Sequence, residues 1–295
     1  MTAVGRARCG ALLALALCAG AASAQAVAVE DDEGQRITLA HPARRIISLS
    51  PGITETLFAV DAGAQLIGTS EYSDYPPAAR DVPRVARAQG IDLERIAALR
   101  PDLIVFWGSG YPPALRDALR RLGPPVYVHE PRTLEQVATS IERLGRLAGS
   151  AHGEAVAARF RARRDALAAR YGARTPVRVF YQVWENPLMT LSGRHVASEV
   201  MRLCGAVNVF DALGPLVATI DVESVIAARP QVILAADAGG QDRGSLLGWR
   251  RHPEVPAVAG GHLVVLDADA LDRASLRLLD AATQLCEQVD RARQP

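Results

Sequence analysis

The stretch AHGEAVAARFRARRDALAARY, residues 151–171, divides the chain into two halves of similar pattern. It contains no proline and a single glycine near its start. Val156, Phe160, Leu167 and Tyr171 follow one another at spacings of four, seven and four residues, which puts them on one face of a helix. At 1.5 Å per residue such a helix is on the order of 30 Å long. We therefore predict one long helix between two units of structure.

A weak internal repeat lies on either side of this helix. The segment DLERIAALRPDLIV at residues 92–105 is matched by DVESVIAARPQVIL at residues 221–234. In each copy an aspartate, Asp92 or Asp221, is positioned to cap a helix, and an arginine–proline step ends that helix before a strand. A chance match of two helix–strand units is the alternative. The repeat favours two similar lobes, one on each side of the long helix.

Short apolar, β-branched runs alternate with helical segments along the chain, which favours parallel sheets with helices on their faces. The predicted strands are residues 46–50, 66–70, 103–107, 126–129, 177–183, 232–236 and 263–266. The predicted fold class is α/β: two Rossmann-like α/β lobes joined by a single long rigid helix, with a ligand cleft between the lobes. We expect a signal peptide at residues 1–24, an N-terminal lobe at 25–149, the connecting helix at 150–173 and a C-terminal lobe at 174–295.

Glycine-containing segments follow several of the predicted strands, at residues 50–52, 107–110 and 237–240. Ligands of open α/β sheets gather beyond the carboxyl ends of the strands, and glycine lets the backbone approach a ligand closely. Ordinary turn glycines are the alternative for each segment taken alone. Their recurrence at successive strand ends favours a ligand site in a cleft between the lobes.

The first 24 residues have the pattern of a signal peptide. Arg6 and Arg8 form a short positive region, residues 11–18 are apolar, and Ala22-Ser23-Ala24 is a small-x-small cleavage site. The uncharged stretch is shorter than the roughly 20 residues that a membrane-spanning helix needs. We therefore predict cleavage after Ala24 and export to the periplasm.

Cysteine usage agrees with export. Cys9 and Cys18 lie in the signal peptide, which leaves Cys204 and Cys286 in the mature chain. Two cysteines in an oxidising compartment favour a disulfide, and two buried thiols are the alternative. A lipoprotein site at Cys18 is disfavoured because the preceding Leu17 is too bulky for that processing.

Composition and motifs argue against several functional classes. The formal net charge is +1, so no bulk field draws the chain to nucleic acid or to an anionic membrane, and all 33 basic residues are arginine. No G-x-S-x-G, Walker A, H-E-x-x-H or C-x-x-C motif occurs, so we predict a protein that is not an enzyme and has no metal or cofactor of its own. The six histidines lack metal-ligand spacing. His129, at a predicted strand end, is the one candidate ligand to a metal or to a cargo.

Several short motifs occur in an order and spacing that a known family shares. They are SLSP with Thr54-Glu55 at residues 48–55, EYSDYPP at 71–77, DLERI at 92–96, PDL at 101–103, LCG and NVF within 203–210, DRAS at 272–275 and QLC at 284–286. From about Arg45 to Val289 the chain resembles the helical-backbone periplasmic substrate-binding proteins of ABC importers, and within them the cobalamin-binding branch. The resemblance implies a periplasmic monomer that delivers cobalamin (vitamin B12) or a related corrinoid to the permease subunits in the inner membrane.

The resemblance also implies ligand contacts in both lobes and a set of aromatic side chains that cover a broad, flat macrocycle. Large rings suit that task because they supply contact area at a small entropic cost. The implied ligand-binding residues are Tyr72, Asp269, Ala270, Leu271, Asp272 and Arg273, with Trp107, Trp184 and Trp249 as the aromatic candidates. Core packing is the alternative for Trp107 and Trp249.

Two glutamates occupy matching positions in the repeat. Glu94 and Glu223 each follow the capping aspartate by two residues, so we expect both to be exposed in the first turn of a helix. Carboxylates are favoured there by the helix dipole, which explains either residue alone. The resemblance implies a further role, in which the two glutamates dock the protein onto arginines of the permease.

The chain also departs from the cobalamin-binding pattern. Ala88, Ala270 and Leu271 stand where that branch has aromatic residues. The departures leave cobinamide, another corrinoid or haem as alternative cargoes, with Tyr72 or Tyr111 as the candidate ligand to a haem iron. A ferric siderophore receptor of the same fold, an exported α/β hydrolase and a scaffold protein without a ligand are more distant alternatives.

Overall fold

The computed structural model describes residues 26–87, 90–237 and 244–294. The expected signal peptide, Ala88 and residues 238–240 lie outside the described residues. Among the residues that are described, no helix is long and apolar enough to cross a membrane.

A mostly parallel sheet forms the centre of the N-terminal lobe. The elements of this lobe are β1 (Val27–Glu30), β2 (Arg36–Leu39), β3 (Ile46–Ser48), α1 (Pro51–Ala59), β4 (Leu66–Ser70), β5 (Arg84–Arg87), β6 (Gly90–Ile91), α2 (Leu93–Leu99), β7 (Leu103–Trp107), α3 (Pro113–Arg121), β8 (Val126–His129) and α4 (Leu134–Leu147). The described strands have the order β6-β5-β4-β3-β7-β8, with β5–β6 antiparallel and the other pairs parallel. β1 and β2 form a separate antiparallel hairpin. The predicted strand at 46–50 is shorter than expected because Ser50 occupies the N-cap position of α1 and Pro51 begins that helix.

The C-terminal lobe follows the connecting helix α5 (Gly153–Tyr171). Its elements are β9 (Val177–Gln182), β10 (Met189–Leu191), α6 (Val196–Leu203), β11 (Ala206–Asn208), β12 (Val217–Thr219), α7 (Val222–Ala228), β13 (Val232–Asp237), α8 (Gly244–Leu247), α9 (Pro256–Ala259), β14 (Leu263–Asp267), α10 (Ala268–Leu271) and α11 (Leu278–Arg291). In the part of the lobe that is described, the main sheet is parallel with the order β11-β9-β13-β14, and β10 pairs with β12 in a small antiparallel ribbon. The predicted two-lobed α/β fold is confirmed.

The two copies of the internal repeat have the same local structure. Asp92 Oδ1 accepts a hydrogen bond from the backbone N–H of Arg95 at 2.8 Å, and Asp221 Oδ1 accepts one from Ser224 at 2.7 Å. Each aspartate therefore caps its helix, as predicted. At the other end of each helix an arginine, Arg100 or Arg229, has a left-handed backbone with φ of 47° or 45°. This conformation ends the helix before the proline and the next strand.

The repeat extends further than the sequence pattern indicates. Arg45 Nη2 donates to the carbonyl of Leu99 at 2.6 Å, and Arg178 Nη2 donates to the carbonyl of Ala228 at the same distance. In each lobe an arginine thus satisfies carbonyl groups that the helix leaves free at its C-terminal end; Arg45 directly precedes β3 and Arg178 lies in β9. The two lobes therefore share a strand–helix–strand unit held by equivalent contacts.

The connecting helix α5 confirms the predicted long helix. Val156, Phe160 and Tyr171 of the predicted apolar face are buried, and Leu167 is partly buried. On the side of the N-terminal lobe α5 crosses α4 at a pair of glycines. A Cβ atom added to Gly145 would lie 2.8 Å from the Cα of the other glycine, Gly153, so the two backbones are in direct contact.

α5 is also attached to the C-terminal lobe. Arg163 Nη1 lies 2.5 Å from Asp280 Oδ1, and Arg163 Nη2 donates to the carbonyl of Leu279 at 3.1 Å. One cluster of buried apolar side chains includes residues of α1, α4, α5, α6 and α11. The connecting helix is therefore part of a core that both lobes share.

A disulfide joins Cys204 to Cys286, as the cysteine usage predicts. Cys204 follows the last residue of α6 and Cys286 lies in α11, with their Cα atoms 4.6 Å apart. Both residues are fully buried. The bond closes a segment with a sequence separation of 82 residues, which contains most of the C-terminal lobe.

Candidate functional site

A pocket of about 350 Å³ lies between the two lobes, at the carboxyl ends of their strands. The N-terminal lobe contributes Ser50, Pro51, Gly52, Tyr72, Trp107, Ser109, His129, Glu130, Pro131 and Arg132 to its lining. The C-terminal lobe contributes Arg194, His195, Val196, Leu216, Ala268, Asp269, Asp272, Arg273 and Ala274. A cleft between the lobes, as predicted, is therefore present and lined from both sides.

Two aromatic side chains stand at the boundary between this pocket and a second one. Tyr72 follows β4, is 68% exposed and has a positive φ of 62°. Trp107 ends β7 and is 41% exposed. Both residues, with Pro51, also line the neighbouring pocket of about 860 Å³ on the N-terminal lobe. The two rings thus offer flat apolar surface to a ligand that extends from one pocket into the other.

The Trp107 ring is held in place by the strand-end segment that follows it. A Cβ atom added to Gly110 would lie 2.0 Å from the indole Cε3 atom, so the backbone of Gly110 packs directly against the ring. A residue with a side chain at this position would displace the indole. Glycine at position 110, after the end of β7, is therefore required to keep the Trp107 ring in its place in the pocket wall.

Asp272 and Arg273 line the opposite wall, which belongs to the C-terminal lobe. Tyr181 donates its hydroxyl hydrogen to Asp272 Oδ1 at 2.5 Å. Burial raises the pKa of the Asp272 carboxyl from its ordinary value of 3.8 to about 6. Arg273 Nη2 lies 2.5 Å from Asp269 Oδ1, and Arg273 Nη1 lies 2.8 Å from Glu55 Oε1. The acidic side chains of this wall are therefore already engaged by protein donors.

Three of the nine predicted ligand-binding residues lie in the core. Ala270 and Leu271 are the last two residues of α10, and that single turn directs their side chains into the buried cluster that both lobes share. Trp249 is 4% exposed, packs edge-to-face on Phe180 and donates its Nε1 hydrogen to Gln182 Oε1 at 2.7 Å. These contacts agree with core packing, the alternative considered above, and a contact between Trp249 and a ligand stays a prediction.

Trp184 has a different position. It is 62% exposed and its indole nitrogen donates to the carbonyl of Asn186 at 3.0 Å. It does not belong to the lining of the cleft pocket given above. A contact between Trp184 and a ligand stays a prediction.

Two histidines line the pocket, one from each lobe. His129 is buried at the end of β8, and its Nε2 atom has no hydrogen-bond partner among the residues described. Burial lowers its pKa, so the ring is neutral. His195 caps α6, because its Nδ1 atom accepts a hydrogen bond from the backbone N–H of Ala197 at 3.1 Å. Strand-end position is the pattern that indicates His129, whereas His195 has no distinguishing pattern in the sequence.

Glu130, Arg132 and Arg194 are further cleft residues that sequence reasoning missed. Glu130 accepts hydrogen bonds from the backbone N–H of Ser109 at 2.7 Å and from its hydroxyl at 3.0 Å. Its position directly after β8 is a pattern that could have identified it. Among the described residues no group of three or more histidine, cysteine, aspartate or glutamate side chains is arranged to hold a metal ion.

Glu94 and Glu223 lie away from the pocket. Both are exposed in the first turn of their helices, α2 and α7, as the repeat predicts. Their carboxylates have no ion pair or hydrogen bond among the described residues. Each lobe thus presents one free carboxylate in an equivalent position.

Two similar α/β lobes on a helical connector, with a ligand cleft between them, define the class of helical-backbone (class III) periplasmic substrate-binding proteins. The chain belongs to the periplasmic binding protein family, whose model matches residues 46–270. It is 37% identical to the vitamin B12-binding protein of Vibrio campbellii over 254 residues, which cover 86% of this chain and 92% of that protein.

Solved structures support the same assignment. The periplasmic vitamin B12 binding protein BtuF of Vibrio cholerae is similar with a TM-score of 0.78 and 38% identity, covering 86% of this chain and 99% of that one. The periplasmic haem-binding protein BhuT, in complex with two haems, is similar with a TM-score of 0.72 and 28% identity, covering 84% and 98% of the two chains. The fold thus carries different tetrapyrrole-like ligands in different relatives.

Proposed function

We propose that this protein captures cobalamin or a closely related corrinoid in the cleft and delivers it to the permease of an ABC importer. The observation that carries the proposal is that Tyr72 and Trp107 of one lobe and Asp269, Asp272 and Arg273 of the other line a single pocket. Similarity to vitamin B12-binding proteins over most of the chain supports the choice of cargo. In this role the protein binds and releases its ligand without chemical change.

The dimensions of the cleft support a large ligand. The interlobe pocket of about 350 Å³ adjoins the pocket of about 860 Å³ across Tyr72 and Trp107. Sites for drug-sized molecules range from about 300 to 1,000 Å³. A corrin ring that spans both pockets would cover the two aromatic rings, and its side groups would reach the polar residues on the opposite lobe.

Titration of the purified mature protein with cobalamin, cobinamide and haem tests this proposal. Visible absorption reports binding because all three ligands are coloured, and calorimetry gives the dissociation constants. We expect saturable one-to-one binding of cobalamin that is tighter than the binding of haem. Saturable binding of haem with no binding of either corrinoid would contradict the proposal.

A haem receptor is the second candidate, and the similarity to a haem-binding protein at 28% identity favours it over more distant functions. Tyr72 is the better candidate for an iron ligand because its ring is exposed at the cleft. Tyr111 packs on Phe106, and burial raises the pKa of its hydroxyl, which opposes formation of the tyrosinate.

We further infer that the protein is exported, with cleavage after Ala24, and that it works in the periplasm as a monomer. The proposed lobe boundaries are residues 25–149 and 174–295, on either side of the connecting helix. Membership of the periplasmic binding protein family supports the location. Mass spectrometry of the protein isolated from the periplasm tests the cleavage site, and a mature chain that begins elsewhere than residue 25 would contradict it.

Glu94 and Glu223 are proposed to dock the two lobes onto the permease. Their support is their equivalent, exposed positions in the two copies of the repeat. Two carboxylates on separate lobes would fix the orientation of the protein and speed its encounter with basic groups on the permease, an effect that salt weakens.

A further inference from the structure

Three donor side chains that line the cleft pocket are not used by the proposed contacts with the corrin ring. Arg132 comes from the N-terminal lobe, and Arg194 and His195 come from the C-terminal lobe. Arg132 and His195 line the same pocket from different lobes, and the charge of Arg132 is one of the two causes that lower the pKa of His195. The lobes thus bring together donors that are distant in the sequence.

The two guanidinium groups have no acceptor that satisfies them. The Arg194 side chain has no hydrogen bond or ion pair among the residues that the structure describes. Arg132 Nη2 lies 3.9 Å from Glu130 Oε1, which is beyond hydrogen-bond distance. That carboxylate is already bound by Ser109. Arg194 is therefore free to bind a ligand, and Arg132, held only by this long ion pair with Glu130, keeps its hydrogen-bond donors.

His195 can only donate towards the cleft. Its Nδ1 atom accepts the backbone N–H of Ala197, so the proton of the neutral ring is on Nε2. Burial and the nearby Arg132 lower the pKa of His195 to about 4, which keeps the ring neutral at pH 7. A metal ligand would need a lone pair on Nε2, and the cap on α6 leaves none there. The ring supplies one N–H donor to the same wall.

The acidic side chains of the pocket already accept hydrogen bonds or ion pairs from protein donors. Asp269 is paired with Arg273, Asp272 accepts the hydroxyl of Tyr181, and Glu130 accepts two hydrogen bonds from Ser109. Arg132 and Arg194 thus keep donors that no acidic side chain of the pocket engages within hydrogen-bond distance. Arginine pairs suit phosphate and carboxylate oxygens, because the planar guanidinium donates two parallel hydrogen bonds to them.

We propose that Arg132, Arg194 and His195 form a subsite for an anionic, oxygen-rich arm of the ligand. The inference rests on the proposed function, and it identifies the arm as the phosphodiester in the nucleotide loop of a complete cobalamin. Cobinamide has the same corrin ring and lacks this nucleotide loop. The subsite would therefore let the protein distinguish complete corrinoids from incomplete ones.

The test compares the two ligands on the same variants of the mature protein. We expect the double variant Arg132→Ala/Arg194→Ala to bind cobalamin at least tenfold more weakly and cobinamide within twofold of the wild type, as measured by calorimetry. Both arginines are exposed, so the variant is expected to fold normally, and circular dichroism checks this. Arg159→Ala, which removes an exposed arginine from α5, is the matched control and should change neither affinity.

The outcomes separate this inference from the proposed function. An equal loss for cobalamin and cobinamide, or no loss for either, would overturn the subsite while leaving corrinoid binding intact. If the wild type binds haem and no corrinoid, the proposed function is wrong. The same variants should then weaken binding of haem but not of its dimethyl ester, and equal effects on the two would overturn the subsite. Binding of none of these ligands would overturn both proposals.

Discussion

Arg273 of the C-terminal lobe and Glu55 of the N-terminal lobe form an ion pair across the base of the cleft, with Nη1 and Oε1 2.8 Å apart. Both side chains are almost fully buried. Glu55 also accepts a hydrogen bond from the hydroxyl of Ser275 at 2.7 Å and lies 3.3 Å from Arg277 Nη1. The lobes are therefore joined by a buried polar contact at the cleft as well as by the connecting helix.

We expect Glu55→Gln to destabilise the protein by about 1–3 kcal/mol, because Arg273 and the partly exposed Arg277 lose the charge that compensates them. Urea unfolding followed by circular dichroism measures the change. The matched control is Glu199→Gln, which removes one partner of the exposed Arg202–Glu199 pair and should cost less than about 1 kcal/mol. Equal effects of the two substitutions would contradict a special role for Glu55.

Tyr72→Ala should weaken cobalamin binding at least tenfold, or about 1.4 kcal/mol, because it removes an exposed ring from the boundary of both pockets. Tyr72→Phe keeps the ring and should bind cobalamin within threefold of the wild type. Calorimetry on both variants separates the ring from the hydroxyl. An unchanged dissociation constant for the alanine variant would remove Tyr72 from the proposed site.

Glu94→Arg/Glu223→Arg should leave ligand affinity unchanged and abolish uptake, because both glutamates are exposed outside the pocket and are proposed to meet basic groups. Transport into membrane vesicles that contain the cognate permease measures the effect. Glu154→Arg is the matched control, since Glu154 is also exposed in the first turn of a helix but lies on the connector α5. Normal uptake with the double variant would refute the docking proposal.

Asp272 should make stability depend on pH. Its pKa is about 6 in the folded protein and near 3.8 when unfolded, so the folded state holds the proton more tightly and its contribution to stability is lost as pH rises through this window. Asp272 is exposed at the surface of the cleft, so solvent screening reduces what its charge costs at neutral pH. Asp272→Asn keeps an acceptor for Tyr181 and should be more stable than the wild type at pH 7.5.

The stability gain from Asp272→Asn should be smaller at pH 4.5 than at pH 7.5, because the wild-type carboxyl of the folded protein is then mostly protonated. Unfolding free energies of both proteins at the two pH values measure this difference. A gain that is the same at pH 4.5 and pH 7.5 would show that the carboxyl does not titrate in this range.

Removal of the disulfide should destabilise the C-terminal lobe. Thiol titration of the denatured, unreduced mature protein should detect no free cysteine. Cys204→Ser/Cys286→Ser should lower the free energy of unfolding by up to about 4–5 kcal/mol, since the bond closes a segment of 82 residues. Two free thiols in the wild type would contradict the assignment.

Local features of the fold were predictable because they depend on near neighbours. The caps at Asp92 and Asp221 and the ends of strands such as β4, β7 and β8 follow from residue preferences over a few positions. The repeat and the length of α5 then define two lobes with a cleft. The equivalent contacts of Arg45 and Arg178 could not be predicted from local patterns, because each arginine binds carbonyl groups about 50 residues further along the chain.

The side-chain directions in the cleft were less predictable. α10 is a single turn, too short for a periodic pattern, and it directs Ala270 and Leu271 inward while Asp269 and Asp272 face the pocket. The sequence around Trp249 does not distinguish a tryptophan that covers a ligand from one that packs in the core. Arg132 lines the same pocket as residues of the other lobe only because of how the lobes meet, which one sequence does not reveal.

The contact between Gly145 and Gly153 lies on the connector, and its consequence reaches the cleft. α4 and α5 touch there with no side chain between them, and Arg163 attaches the same α5 to α11. A bulkier residue at either glycine would push α5 away from α4 and move the attached C-terminal lobe with it. The width of the cleft is thus set partly by two residues that do not line the pocket. A search for variants with altered ligand affinity should therefore include the contact between α4 and α5, away from the pocket.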